Sequence, residues 1–127
     1  MPTREIKLVV FDWAGTTIDY GCMAPAGAFV AAFAARGVAV TLAEARAPMG
    51  LHKKDHIRAM LRHPDVAARW KQATGGDWTE TDVEVLYRDV TPRQVEAAKR
   101  YGTLVEGVTD CVARLRSRGI KIAATTG

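Results

Sequence analysis

Two short apolar runs lie at opposite ends of this chain, and almost everything between them reads as helix. Ile6-Lys7-Leu8-Val9-Val10-Phe11 is β-branched and nearly continuous in apolar character, the pattern of a strand buried on both faces of a parallel sheet. It stops at Asp12. The second run, Ile120-Lys121-Ile122-Ala123-Ala124-Thr125, stops on Thr126-Gly127. Strands this far apart, each ending in small polar residues, predict a parallel sheet whose carboxyl edge carries a site and whose sequence is interrupted by an inserted all-helical cap. One core helix cannot cover both faces of such a pair. Further strands beyond Gly127 are therefore expected, and the α/β, Rossmann-like core is read as incomplete.

The insertion carries its own punctuation. From Pro25 to Arg36, proline in the first turn, Phe29, Val30 and Phe33 on one face, and Gly37 as a stop predict a helix. Thr41-Leu42-Ala43-Glu44 fits a capping box for a short second helix ending around Pro48 to Gly50. A third is expected from about Lys53 to Arg62 and a fourth from Pro64 through Trp70, before a Gly75-Gly76 loop. Thr79 or Thr81 caps a long helix from about Asp82 to Lys99, which Pro92 kinks or splits. Trp70 and Trp78 belong either to cap packing or to a contact between copies. A last helix over Val108 to Arg118, ended by Gly119, leads into the second strand. The division is core 1–20 and 101–127, cap 21–100.

Composition excludes several classes. At 48% hydrophobic and 25% charged, the chain is ordinary globular material. Its 18 Lys and Arg are interleaved with 14 acids, so the net +4 reads as a solvated surface and not a nucleic-acid site. Cys22 and Cys111 lack metal-ligand or disulfide spacing, and the N-terminal apolar run is too short for a leader or a membrane span. A cytoplasmic protein with no membrane and no nucleic-acid partner is expected.

The first strand empties into Asp12-Trp13-Ala14-Gly15-Thr16-Thr17. An Asp there is held at the strand end, and the backbone N–H groups of the glycine-containing turn are expected to face an anion. Alone, such an Asp only caps a turn. Here the stretch from Val9 to Thr17 resembles the first motif of the haloacid dehalogenase superfamily, in which a hydrophobic strand precedes Asp-x-Asp or a variant and then Gly-Thr. The resemblance implies that Asp12 attacks phosphorus to form an aspartyl-phosphate, dividing one hard displacement into two easier ones. Thr125-Thr126-Gly127 resembles the second motif, which implies that Thr126 and Gly127 hold the transferring phosphoryl oxygens.

Position 14 departs from the usual pattern. Most phosphatases of the superfamily have a second Asp there as the general acid, and Ala14 has no proton to give. Losing that help forgoes roughly 10²–10⁴ in rate, which disfavours phosphomonoester hydrolysis. A leaving group that needs no proton on oxygen is required. Pro48-Met49-Gly50-Leu51-His52-Lys53-Lys54-Asp55-His56 offers a source. Lys53 in isolation reads as a surface lysine. If the helix includes Met49, then Met49, Lys53 and His56 share one face through i, i+4 and i+7 spacing, and adjacent Lys54 favours a reactive neutral amine on Lys53.

Ala14, Cys22, Met49-Gly50-Leu51 and Lys53 together resemble the phosphonatase family within that superfamily. The likeness extends over essentially the whole chain, through Asp12 to Cys22, Gly37-Val38, Asp55-His56 and Arg118-Gly119-Ile120. It implies that Lys53 forms an iminium with the small-molecule phosphonate phosphonoacetaldehyde, so that attack by Asp12 breaks the C–P bond to leave an enamine. It also implies Mg2+ held by the Asp12 side chain and the Ala14 carbonyl, with Cys22, Met49 and His56 around the lysine and a homodimer formed through the cap. Cys22 also reads as a small buried residue, while His52 and His63 read as surface residues. The alternatives are another superfamily hydrolase, a 2-haloacid dehalogenase or phosphatase, or an inactive fragment acting as an interaction module. The residues 1–127 alone are expected to be inactive.

Overall fold

The computed structural model describes residues 4–20 and 22–125, so Thr126 and Gly127 of the expected phosphoryl-binding motif lie outside the described residues. The elements follow in the order β1 (Leu8–Phe11), α1 (Met23–Ala34), α2 (Leu42–Arg46), α3 (Lys53–Arg62), α4 (Pro64–Thr74), α5 (Glu80–Arg100), α6 (Val108–Ser117) and β2 (Lys121–Ala124). The fold is α/β. The chain gathers into two compact units, Met1–Met23 with Tyr101–Gly127, and Ala24–Arg100.

In the first unit β1 and β2 pair in parallel, with Leu8 opposite Lys121 and Phe11 opposite Ala124. The ladder is tied at both ends, by the Lys121 N–H to the Lys7 carbonyl at 2.9 Å and the Thr125 N–H to the Phe11 carbonyl at 2.8 Å. Period-2 alternation turns Val9 and Phe11 to a half-buried face and Leu8 and Val10 to the other. That second face is open among the described residues, with Leu8 50% and Val10 53% exposed. Among the described residues the sheet has two strands, and α6 packs against it without burying any of its own residues.

The second unit holds the hydrophobic core. Phe29 and Phe33 of α1, Ile57, Met60 and Leu61 of α3, Val66 and Trp70 of α4, and Val83, Leu86 and Val90 of α5 are all buried in one cluster. The local signals act as written. The Thr41 hydroxyl accepts from the Glu44 N–H while the Glu44 carboxylate accepts from the Thr41 N–H, closing the capping box of α2. Gly37 ends the α1 segment at φ +74°, where the Val38 N–H reaches back to the Phe33 carbonyl at 3.1 Å. Thr79, not Thr81, caps α5: its N–H and hydroxyl both reach the Asp82 carboxylate, at 2.7 and 2.8 Å. Pro92 does not split α5. Its buried residues all precede the proline, so the carbonyl that Pro92 cannot satisfy lies where the helix emerges toward water.

Trp70 decides the packing of this unit, since it is 2% exposed and meets Phe33 edge-on with ring centroids 6.1 Å apart. Trp78 packs partly buried against the same cluster. Replacing Trp70 with Ala is expected to destabilise the helical unit by about 3–5 kcal/mol, read as a lower urea midpoint by circular dichroism. A change within experimental error would mean that the cluster does not depend on the ring.

Candidate active site

Asp12 is the first residue beyond β1, and Thr125 the first beyond β2, so the last register pair sets both at the same carboxyl edge. Asp12 is exposed. Its Oδ1 accepts from the Trp13 N–H at 2.8 Å, and its carbonyl accepts from the Thr17 hydroxyl. The turn that follows closes on itself. The N–H groups of Thr16, Thr17 and Ile18 converge on the Trp13 carbonyl at 3.1, 2.9 and 3.2 Å, and the Gly15 N–H donates to the Ile18 carbonyl at 2.8 Å. A free row of N–H groups facing an anion is therefore not what these residues form. Gly15, at φ +79°, lets the turn fold back and consume its own donors, leaving the Ala14 N–H as the one without an acceptor among the described residues 13–18.

Two connectors meet beside this turn. The Val105 N–H donates to the Thr17 carbonyl at 2.9 Å and the Asp19 N–H to the Thr103 carbonyl at 3.1 Å. Asp19 is 6% exposed at φ +54°, and its Oδ1 accepts from the Met23 N–H, the first residue of α1, at 2.9 Å. The Cys22 N–H in turn donates to the Asp19 carbonyl at 2.9 Å. Cys22 belongs with the sheet unit, and its thiol stands over Gly15: a Cβ added to Gly15 would lie 2.6 Å from Sγ.

Lys53 is the first residue of α3, half-buried, and makes no ion pair among the described residues. Its neighbour Lys54 is engaged elsewhere, 2.6 Å from the Glu84 carboxylate and 5.1 Å above the Tyr87 ring. The neighbouring cation expected beside Lys53 is thus paired with Glu84, and successive helical positions diverge. Met49 does not share a helix with Lys53. It sits exposed in the turn between α2 and α3, because Pro48 and Gly50, the latter at φ +99°, break the helix there. His56 does lie one turn along α3 from Lys53, but faces inward. It is 2% exposed, stacks on Phe29 with centroids 4.0 Å apart, and holds the Ala45 carbonyl at 2.8 Å through Nε2. A carbonyl only accepts, so the neutral ring carries its proton on Nε2 and leaves Nδ1 as the proton acceptor.

Whether these residues suit magnesium follows from their donor atoms. The Asp12 carboxylate is exposed at the strand end, and the Ala14 carbonyl accepts no hydrogen bond among the described residues. Two hard oxygens on one turn fit that ion. A second group, Glu44, His63 and Asp65 in the helical unit, brings ligand atoms within 4.8 Å of one another. It does not fit. Arg69 and the Thr41 N–H already occupy Glu44 and hold its carboxyl at about 2, and an imidazole beside a guanidinium is a poor site for a hard dication. A recess of about 300 Å³, bounded by Phe11, Trp13, Thr17, Val112, Arg116 and Ile122, adjoins the turn, whereas a larger hollow along α6 is lined by no candidate residue.

Comparison with known proteins places the chain. It belongs to the haloacid dehalogenase-like hydrolases, whose family model matches residues 6–127. Within that class it is similar to proteins named phosphonoacetaldehyde hydrolase: one from Bacillus cereus (strain G9842) is 47% identical over 97% of this chain and 47% of its own length, and one from Syntrophobacter fumaroxidans is 45% identical over 98% and 45%. The chain thus spans about half the length of the curated relatives it matches. The crystal structure of a phosphonoacetaldehyde hydrolase-like protein from Oleispira antarctica superposes with a TM-score of 0.86 at 38% identity, covering 94% of this chain and 43% of that one. CbbY from Rhodobacter sphaeroides, solved with phosphate, gives 0.64 at 27%, covering 96% and 51%.

Sequence reasoning missed Thr17 and Asp19. Their residue types are ordinary, and the only signal was their spacing within the stretch from Asp12 to Cys22.

Burial is the leading influence on His56 and holds its titration below the ordinary 6.5, against the opposing effect of the Ala45 carbonyl. The folded state therefore prefers the neutral ring. That preference stabilises the helical unit fully above about pH 6.5 and is lost as pH falls through the lowered folded value. The urea midpoint of wild type should fall between pH 7 and pH 5 more steeply than that of His56→Gln. Parallel slopes would show that His56 is not the group responsible.

Proposed function

We propose that the protein carrying this chain hydrolyses the C–P bond of phosphonoacetaldehyde, giving acetaldehyde and phosphate through a Schiff base on Lys53 and an aspartyl-phosphate on Asp12. The observation that carries this reading is Lys53: half-buried, at the first position of α3, and without a carboxylate partner among the described residues. Ala14 supports it from the other unit, because a residue that cannot act as general acid suits a reaction whose leaving group departs as carbon.

In this mechanism the Lys53 amine adds to the aldehyde and water leaves, giving an iminium. An Asp12 oxygen then attacks phosphorus. The P–O bond forms as the C–P bond breaks, and the electron pair of that bond moves into the iminium to give a neutral enamine. Protonation of the enamine at carbon and hydrolysis of the imine return Lys53 and release acetaldehyde, and water cleaves the aspartyl-phosphate. The Asp12 carboxylate and the Ala14 carbonyl would hold magnesium, which when bound offsets the repulsion between an anionic carboxylate and an anionic phosphonate. Thr126 and Gly127 would hold the phosphoryl oxygens. His56, kept neutral with Nδ1 free to accept, and Met49 would serve proton transfer and packing around the lysine, and Cys22 is assigned with them by resemblance. Cytoplasmic location and pairing of two copies through the helical unit belong to the same proposal. Among the described residues no helix is long and apolar enough to cross a membrane.

Borohydride reduction in the presence of phosphonoacetaldehyde is expected to fix the substrate carbon on Lys53, identified by peptide mass. Lys53→Arg should abolish both trapping and turnover, whereas Asp12→Asn should lower turnover by about 10⁴-fold or more and still permit trapping. Absence of a substrate-dependent adduct would overturn the Schiff base. Dehalogenation of a 2-haloacid without magnesium would instead favour the dehalogenase reading.

A further inference from the structure

The resemblance puts Cys22 beside the lysine; within its own unit its thiol stands over Gly15 of the nucleophile turn. We infer that Cys22 is a positioning residue for that turn, its thiol acting as a steric stop on Gly15, and that Asp19 holds the thiol in place. Resting on the reading of Asp12 and Ala14 as nucleophile and metal ligands, this extends it to two side chains that touch neither substrate nor metal.

Gly15 is fixed by its N–H to the Ile18 carbonyl and takes φ +79°, and Sγ of Cys22 occupies the space a Gly15 side chain would need. Residue 15 directly follows the Ala14 carbonyl, so pressure on its Cα is transmitted to that oxygen across one peptide plane. Cys22 is itself held at φ +52°, a conformation that is strained for a non-glycine residue. Something must hold it there. The Cys22 N–H is bonded to the Asp19 carbonyl, Asp19 is buried at φ +54° with its N–H on Thr103, and its carboxylate caps the first N–H of α1. Two strained residues in so short a connector, both tied by hydrogen bonds, form a strap between the Asp12 turn and the start of α1.

The test uses the full-length protein and reads magnesium binding by titration calorimetry, kcat, and the pH profile of borohydride trapping at Lys53. Cys22→Leu should displace Gly15, weaken magnesium binding about tenfold and lower kcat by about 100-fold, as an ångström-scale misplacement does. The trapping profile should stay unchanged. Cys22→Ser, close in size, should restore magnesium binding to within about threefold of wild type, since the stop is steric. Should Cys22→Leu fail to fold, Cys22→Ala removes the stop without crowding and should weaken magnesium binding about threefold with an unchanged trapping profile. Unchanged magnesium affinity in whichever of Cys22→Leu and Cys22→Ala folds, or a shifted trapping profile in any of the three variants, overturns the assignment and returns Cys22 to the lysine. Failure of the wild type to trap substrate would count against the Schiff base alone, because the magnesium titration does not depend on it.

Discussion

Parallel pairing of β1 with β2 is the constraint from which the sheet unit follows. Parallel strands cannot be joined by a hairpin, so the chain must leave the carboxyl end of one and return to the amino end of the next, and here the whole helical unit occupies that excursion. The register from Leu8 with Lys121 to Phe11 with Ala124 then brings Asp12 and Thr125 to one edge. A slip of one residue would exchange the half-buried and open faces of β1 and separate those two residues along the edge.

Most of the carboxyl edge is occupied by a turn that has spent its own hydrogen-bonding capacity. Three N–H groups share the Trp13 carbonyl, and the groups of this turn left without a partner among the described residues include the Ala14 N–H and the Ala14 carbonyl, beside the exposed Asp12 carboxylate. Such a surface suits a cation better than an anion. This is the opposite polarity from a simple anion-binding nest.

The helical unit presents a different economy. Its core of aromatic and branched residues is closed, and its polar groups are divided between those buried for packing and those left free. His56 is drawn into the core by Phe29 and the Ala45 carbonyl, while the half-buried Lys54 is held by Glu84 and the Tyr87 ring. Lys53, one residue before Lys54, makes no ion pair among the described residues. The separation of two adjacent lysines into one partnered and one unpartnered is a product of helical geometry, which turns neighbours about 100° apart.

Much of the architecture was legible from residue order, since its signals are local. The Thr41–Glu44 capping box, Gly37, Pro64 and the Gly75-Gly76 loop mark helix ends through their own backbone chemistry, and α3 begins and ends where the sequence predicts. Asp12, Ala14 and Lys53 stood out because their residue types carry chemistry at motif spacing. Burial, partners and backbone angles were decided only by tertiary structure. Lys54 was drawn to Glu84, His56 to Phe29 and the Ala45 carbonyl, and Asp19 took a positive φ where its N–H meets the Thr103 carbonyl. The reason is common to all three. A residue's type and spacing fix what it can do locally, whereas what it does depends on groups far along the chain that only folding brings beside it.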